Sequence, residues 1–147
     1  MYTREELLQK IQENDKTQDE MVTLFLELSY TFDKEEEYGE ALKYASLATI
    51  VSDVPRADAC CRIGDLYAIN RQTKWAKMWY TNSIQNVSNE IDSLFYTWLP
   101  LQKMCQMLMM EGNFKEALKY VESALIFNPD DEECCNMKQA IENFLKE

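Results

Sequence analysis

The side chains in this chain with the most chemical potential are five cysteines, two acidic runs and a knot of methionines. Four of the thiols are chain neighbours, Cys60-Cys61 and Cys134-Cys135, with Cys105 apart. Neighbours on a helix point about 100° apart, so the members of a pair face different surroundings and do not bridge. No Cys-x-x-Cys spacing occurs and the chain has no histidine. A zinc site would need four distant thiolates to converge, so no metal is expected. Without histidine there is no Ser–His or Cys–His nucleophile pair. Cys60 and Cys105 read as small apolar packers. Reduced thiols fit a cytoplasmic protein. Asp130-Asp131-Glu132-Glu133 has the acid density of a calcium loop but lacks its alternating ligands and central glycine. It reads as the negatively charged start of a helix. Glu35-Glu36-Glu37 reads as a solvated turn. No acid–base pair with an orienting partner can be named, so we expect neither an enzyme nor a cofactor.

The elements that position these residues follow from composition. The length of 147 residues suits one domain. Three glycines and three prolines supply too few tight turns for an all-β fold, which leaves an all-α one. A net charge of −11 repels phosphate backbones and anionic lipid surfaces, which argues against nucleic acid and membrane as partners. It favours a protein partner of basic or mixed charge. No apolar run reaches a membrane span, and Met1 to Glu6 lacks the order of a signal peptide.

A repeat organises the chain. Gly112-Asn113-Phe114-Lys115-Glu116-Ala117-Leu118-Lys119-Tyr120 runs on to Ala124 and closes at Pro129. It resembles the second helix of a tetratricopeptide repeat. Counting back, the first helix starts near Trp98, with Leu101, Met104, Cys105 and Leu108 on its packing face. The same frame starts near Val22, giving Phe25, Leu28, Ser29 and Phe32, then Tyr38, Ala41, Ala45 and Ala48. It starts again near Ala57, giving Cys60, Ile63, Gly64 and Tyr67, then Ala76, Tyr80 and Ser83. Ala41, Ala76 and Ala117 are 35 and 41 positions apart, against a nominal period of about 34, which places an insertion near Asn86 to Asp92. Small residues recur because antiparallel helices approach to about 8–10 Å only where side chains are small. Ser29, Gly64 and Cys105 stand at one crossing; Ala41, Ala76 and Ala117 face them.

We therefore expect an all-α, tetratricopeptide-like α-solenoid of three helix-turn-helix repeats, about 18–52, 56–86 and 91–128. An N-terminal helix over 3–13 precedes them and a capping helix over 131–145 closes the stack, eight helices in all. Thr3 with Glu6 and Thr17 with Glu20 read as capping boxes. Asn113 reads as a cap paired with Glu116, Pro55 as a first-turn residue, and Asp130 or Asp131 as the last cap. Pro100 falls inside apolar spacing that continues upstream through Leu94 and Phe95. We read one long helix from about Ile91, kinked at Pro100, in preference to a start near Trp98.

Residues 56–128 also resemble a narrower group. Arg56-Ala57-Asp58-Ala59-Cys60-Cys61-Arg62-Ile63-Gly64-Asp65, Ala76-Lys77-Met78-Trp79-Tyr80 and Tyr96-Thr97-Trp98-Leu99-Pro100-Leu101-Gln102 with Cys105 carry the likeness. Together they are similar to the tetratricopeptide region that follows the catalytic domain in certain bacterial and phage family-2 glycosyltransferases. The resemblance implies the fold and an accessory role. It does not imply sugar transfer, since only about 55 residues precede the segment and no Asp-x-Asp metal pair occurs. The initial Met1 favours a free-standing protein over an excised domain.

The repeat resemblance implies that the first helices line a concave groove. Residues one, four and eight positions after each frame start face it: Thr23, Leu26 and Tyr30; Asp58, Cys61 and Asp65; Leu99, Gln102 and Gln106. Arg62 lies beside the middle set. Met104, Met107, Met109 and Met110 cluster on one helix; Met109 and Met110 reach either the groove or the cap packing. The mixture suits an extended peptide or a helix. Tetratricopeptide clamps that hold acidic chaperone tails place Lys, Arg and Asn at these positions, whereas here an acidic tail would meet Asp58 and Asp65. The groove is expected to hold a partner segment, or else to be merely solvated or filled by the chain's own terminal helix. A homo-oligomer joined through Trp75, Trp79 and Phe95 is a further expectation.

Overall fold

The computed structural model describes residues 2–51, 54–87 and 93–147, with side chains in the last stretch from Tyr96 onward. Among these residues there are eight α-helices and no strand. They are α1 (Arg4–Lys10), α2 (Gln18–Lys34), α3 (Tyr38–Val51), α4 (Ala57–Ile69), α5 (Thr73–Gln85), α6 (Ser93–Met110), α7 (Phe114–Phe127) and α8 (Glu132–Leu145). The most extensive packing is within the hairpins α2–α3, α4–α5 and α6–α7. Each hairpin then packs on the next, α1 lies against α2, and α8 lies against α7.

All three hairpin turns are built alike. Glu36, Arg71 and Gly112 take the left-handed conformation, at φ of 60°, 61° and 79°. In each turn the following N–H reaches back across the helix end: Glu37 to Phe32, Gln72 to Tyr67 and Asn113 to Leu108, all at 2.9 Å. The left-handed residue itself bonds three residues back, as Glu36 to Asp33, Arg71 to Ala68 and Gly112 to Met109. This pair of bonds is the Schellman ending of a helix. It recurs at equivalent places although only the third turn carries glycine.

Other helix ends follow the local chemistry. Thr17 accepts from the Glu20 amide while Glu20 answers the Thr17 amide, a full capping box. Thr3 accepts from Glu6 at 3.2 Å, and Asp131 from Cys134 at 2.8 Å. Asn113 does not cap. Its amide donates to the Glu116 carboxylate instead, because the Schellman turn already fixes its backbone. Pro55 stands outside α4, which starts after Arg56. The first helix stops at Lys10 rather than running to residue 13; Ile11 is its C-cap and the next bond, Gln12 to Gln9, already tightens to a three-residue reach. The helix containing Pro100 extends upstream at least to Ser93 and buries the proline ring. The expected start at Ile91 lies outside the described residues, as does most of the expected insertion.

The core is a chain of three clusters. One is shared by α1 to α4, one by α6 to α8, and a bridging one includes Cys61, Ala76, Tyr80, Met104 and Met107. Ala41, Ala76 and Ala117 are completely buried. What lies against Gly64 is the ring of Tyr80, one turn beyond Ala76. A Cβ at Gly64 would stand 2.7 Å from Tyr80 Cδ1. Within hairpins, the Ser29 hydroxyl donates to the Ala41 carbonyl at 2.8 Å and the Ser83 hydroxyl to the Ala57 carbonyl at 2.7 Å. Buried hydroxyls need such acceptors, and here they also bind one helix to its mate.

Candidate functional site: the face of the first helices

Polar side chains link α2 to α4, α4 to α6 and α6 to α8, and these contacts form a ladder across the four helices. Arg56, just ahead of α4, lies 3.8 Å from Asp19 of α2 and pairs with Asp58 at 2.6 Å. Arg62 pairs with Asp33 at 2.8 Å and donates to the Ser29 hydroxyl and carbonyl. Its guanidinium also lies 4.0 Å from the centre of the Tyr30 ring, a cation–π stack. Lys103 of α6 lies 3.8 Å from Asp65 of α4, which in turn accepts from the Tyr80 hydroxyl at 2.6 Å. Gln102 and Gln106 donate to Asp131 and Glu133, tying α6 to α8.

Each expected site residue can now be placed. Thr23 is exposed. Tyr30 is 46% exposed, with Arg62 under its ring. Asp58, Asp65, Leu99 and Gln106 are half-buried on the ladder helices. Leu26, Cys61, Arg62 and Gln102 are buried, and Leu26 and Cys61 belong to core clusters. Met109 is half-buried and packs toward the α7–α8 cluster, while Met110 is exposed. Burial pushes the Tyr30 hydroxyl above its ordinary value against the pull of Arg62. Burial does the same at Tyr80, where the Asp65 charge adds to it. Both phenols therefore stay neutral, and that of Tyr80 donates to Asp65. Cys61 is pushed up by burial and then by Asp65, so it is no nucleophile.

Several ladder members lie outside the expected groove set: Asp33, Arg56, Lys103, Asp131 and Glu133. One signal was present. Arg62 and Lys103 are 41 positions apart, the interval that separates Gly64 from Cys105, so both reach back from the same repeat position. The acidic turn Glu35 to Glu37 is not simply solvated. Arg4 of α1 binds Glu35 at 2.7 Å and Glu37 at 3.2 Å while lying over the Phe32 ring. Of the apolar residues expected to join copies, Trp75 is 47% exposed, but Trp79 is packed against the α1–α4 cluster. The Phe95 side chain lies outside the described residues.

At the far end of the ladder is a shallow depression of about 490 Å³ between Met109 and α8. Glu132, Glu133, Asn136, Met137 and Ala140 complete it. Among the described residues no group of three acidic or thiol side chains is placed to hold a metal, and no helix is long and apolar enough to cross a membrane.

No protein-family model matches the chain, and no curated protein matches it in sequence. Solved structures do match. MamA superposes with a TM-score of 0.76 at 10% identity, over 97% of this chain and 77% of MamA. The second TPR domain of human RPAP3, solved with an HSP70 peptide, gives 0.70 at 14% identity, over 86% and 98%. The fold is a tetratricopeptide-repeat solenoid. The type III secretion chaperone SycD of Yersinia enterocolitica, solved with a peptide of the translocator YopD, gives 0.69 at 14% identity, over 92% and 100%.

Proposed function

We propose that this tetratricopeptide chain is a non-enzymatic adaptor that holds a segment of a partner protein on the face of α2, α4, α6 and α8. The partner segment is basic or mixed in charge. One observation carries the reading. The ladder cations Arg56, Arg62 and Lys103 are all engaged by the chain's own carboxylates. An acidic segment would find no free cation in the ladder, while a basic one finds surplus acid in a chain of net charge −11. The ladder also holds the face rigid before binding, which lowers the ordering cost of association. Peptide-bound RPAP3 and SycD support segment binding by this fold, and the free cysteines fit a cytoplasmic setting.

The test is selection from a random twelve-residue peptide library on the folded chain. The selected peptides should be rich in Lys and Arg. Thr23→Lys and Tyr30→Ala should each weaken them at least tenfold, and Trp75→Ala on the second-helix side should not. Acidic peptides, or equal loss with Trp75→Ala, would overturn the reading. The resemblance of residues 56–128 supports a second reading, an accessory role beside a glycosyltransferase. A nucleotide-sugar domain encoded in the adjoining reading frame would favour it.

A further inference from the structure

The depression at the α6–α8 end of the ladder differs from the rest of the face. Its floor is apolar and yielding: Met109 from α6, with Met137 and Ala140 from α8. Unbranched methionines adapt to the shape of whatever fills the space. Its rim is acidic, formed by Glu132 and Glu133 in the first turn of α8. Glu133 already accepts from Gln106, which leaves further lone pairs free. Both glutamates are exposed, so their charge is available to an incoming group. The ladder cation on α6, Lys103, lies against Asp65, and no cation is among the described residues that line the notch. An apolar floor with a carboxylate rim is complementary to a large apolar side chain flanked by Lys or Arg.

Resting on the adaptor reading above, we infer that this notch is the anchor subsite of the binding face. It takes one bulky aliphatic or aromatic side chain of a partner protein's cationic segment, with a neighbouring Lys or Arg placed against Glu132 and Glu133. The remainder of the segment runs along the ladder toward Tyr30. The notch supplies the apolar anchor and the rim sets its orientation.

The experiment uses the full chain and three labelled synthetic twelve-residue peptides: a Leu/Lys amphipathic one, the same with Leu replaced by Ser, and the same with Lys replaced by Glu. Anisotropy gives affinity and amide shift mapping gives location. The Leu/Lys peptide should bind at least tenfold more tightly than either control, with shifts centred on Met109, Met137 and Ala140. Ala140→Lys, at an exposed helical position, should weaken it at least tenfold with the melting temperature unchanged. Glu132→Gln with Glu133→Gln should weaken it several-fold and flatten its salt dependence. Binding that ignores these variants, or that tolerates Leu→Ser, would reduce the effect to diffuse charge and overturn the subsite. Shifts centred on Thr23 and Tyr30 would overturn the subsite and leave the adaptor reading standing. If the library also yields no peptide for this face, both fall.

Discussion

Arg62 is the most heavily engaged side chain of the ladder, bound to Asp33 and Ser29 and stacked on Tyr30. Its place on α4 beside Cys61 and Ile63 was legible from the frame. Its engagement was not, because Asp33, Ser29 and Tyr30 lie about thirty residues earlier in the chain and meet it only after stacking. Removing it strands Asp33 in a quarter-exposed site and leaves a hole under Tyr30. Arg62→Ala should lose about 2–3 kcal/mol in chemical unfolding, below the range for fully buried pairs because Asp33 keeps some water. Arg62→Lys should recover little, since a point charge cannot serve Ser29, Asp33 and a ring at once. A melt that barely moves would contradict the ladder. The thiols make a second residue-scale prediction. Burial pushes Cys60 and Cys105 to about 11 and Cys134 to about 12, from 9.0. The fold holds the neutral thiol, so above pH 9.0 the unfolded chain ionises first. The stability these groups contribute is whole below that pH and should fall progressively toward pH 11. At neutral pH a thiol reagent should modify only the exposed Cys135 quickly, the other four reacting on unfolding.

At the scale of elements, helix number and pairing were written in the recurring Ala41, Ala76 and Ala117. The turns were not. Only Gly112 advertises a left-handed residue, and Glu36 and Arg71 hide the same geometry behind side chains that dislike it. Replacing Arg71 by glycine should therefore stabilise the chain by about 0.5–1 kcal/mol, while Gly112→Ala should destabilise it by about 1 kcal/mol. Differential scanning calorimetry reads both, and matching signs would mean the three turns are not equivalent. The two other glycines make a sharper contrast. At Gly39 an added methyl meets nothing within 4 Å, so Gly39→Ala should stabilise α3 by about 0.5–1 kcal/mol. At Gly64 it drives into the fully buried Tyr80 ring, so Gly64→Ala should cost about 1–2 kcal/mol net of its gain in helix propensity. Pro100 was the element-scale question decided upstream. The helix runs from Ser93 through Pro100 despite the hydrogen bond that proline removes, and the ring itself is buried.

Across the whole molecule, α1 packs on α2 and α8 on α7, so each outer hairpin buries part of its apolar face against a further helix. Which helices pair into hairpins was legible from the repeat. The division of labour along the ladder was not, because it depends on pairs between repeats: Lys103 with Asp65, Gln102 with Asp131, Gln106 with Glu133. The ladder sets three cations against six carboxylates, so on the adaptor reading proposed above its surplus acid faces the partner, and binding should weaken as salt rises past the screening length. The most direct measurement is an amide shift map of the full chain titrated with the tightest peptide selected from the random library. Shifts running along α2, α4, α6 and α8 are expected. Shifts confined to α3, α5 and α7, around Trp75, would contradict the assignment of the binding face.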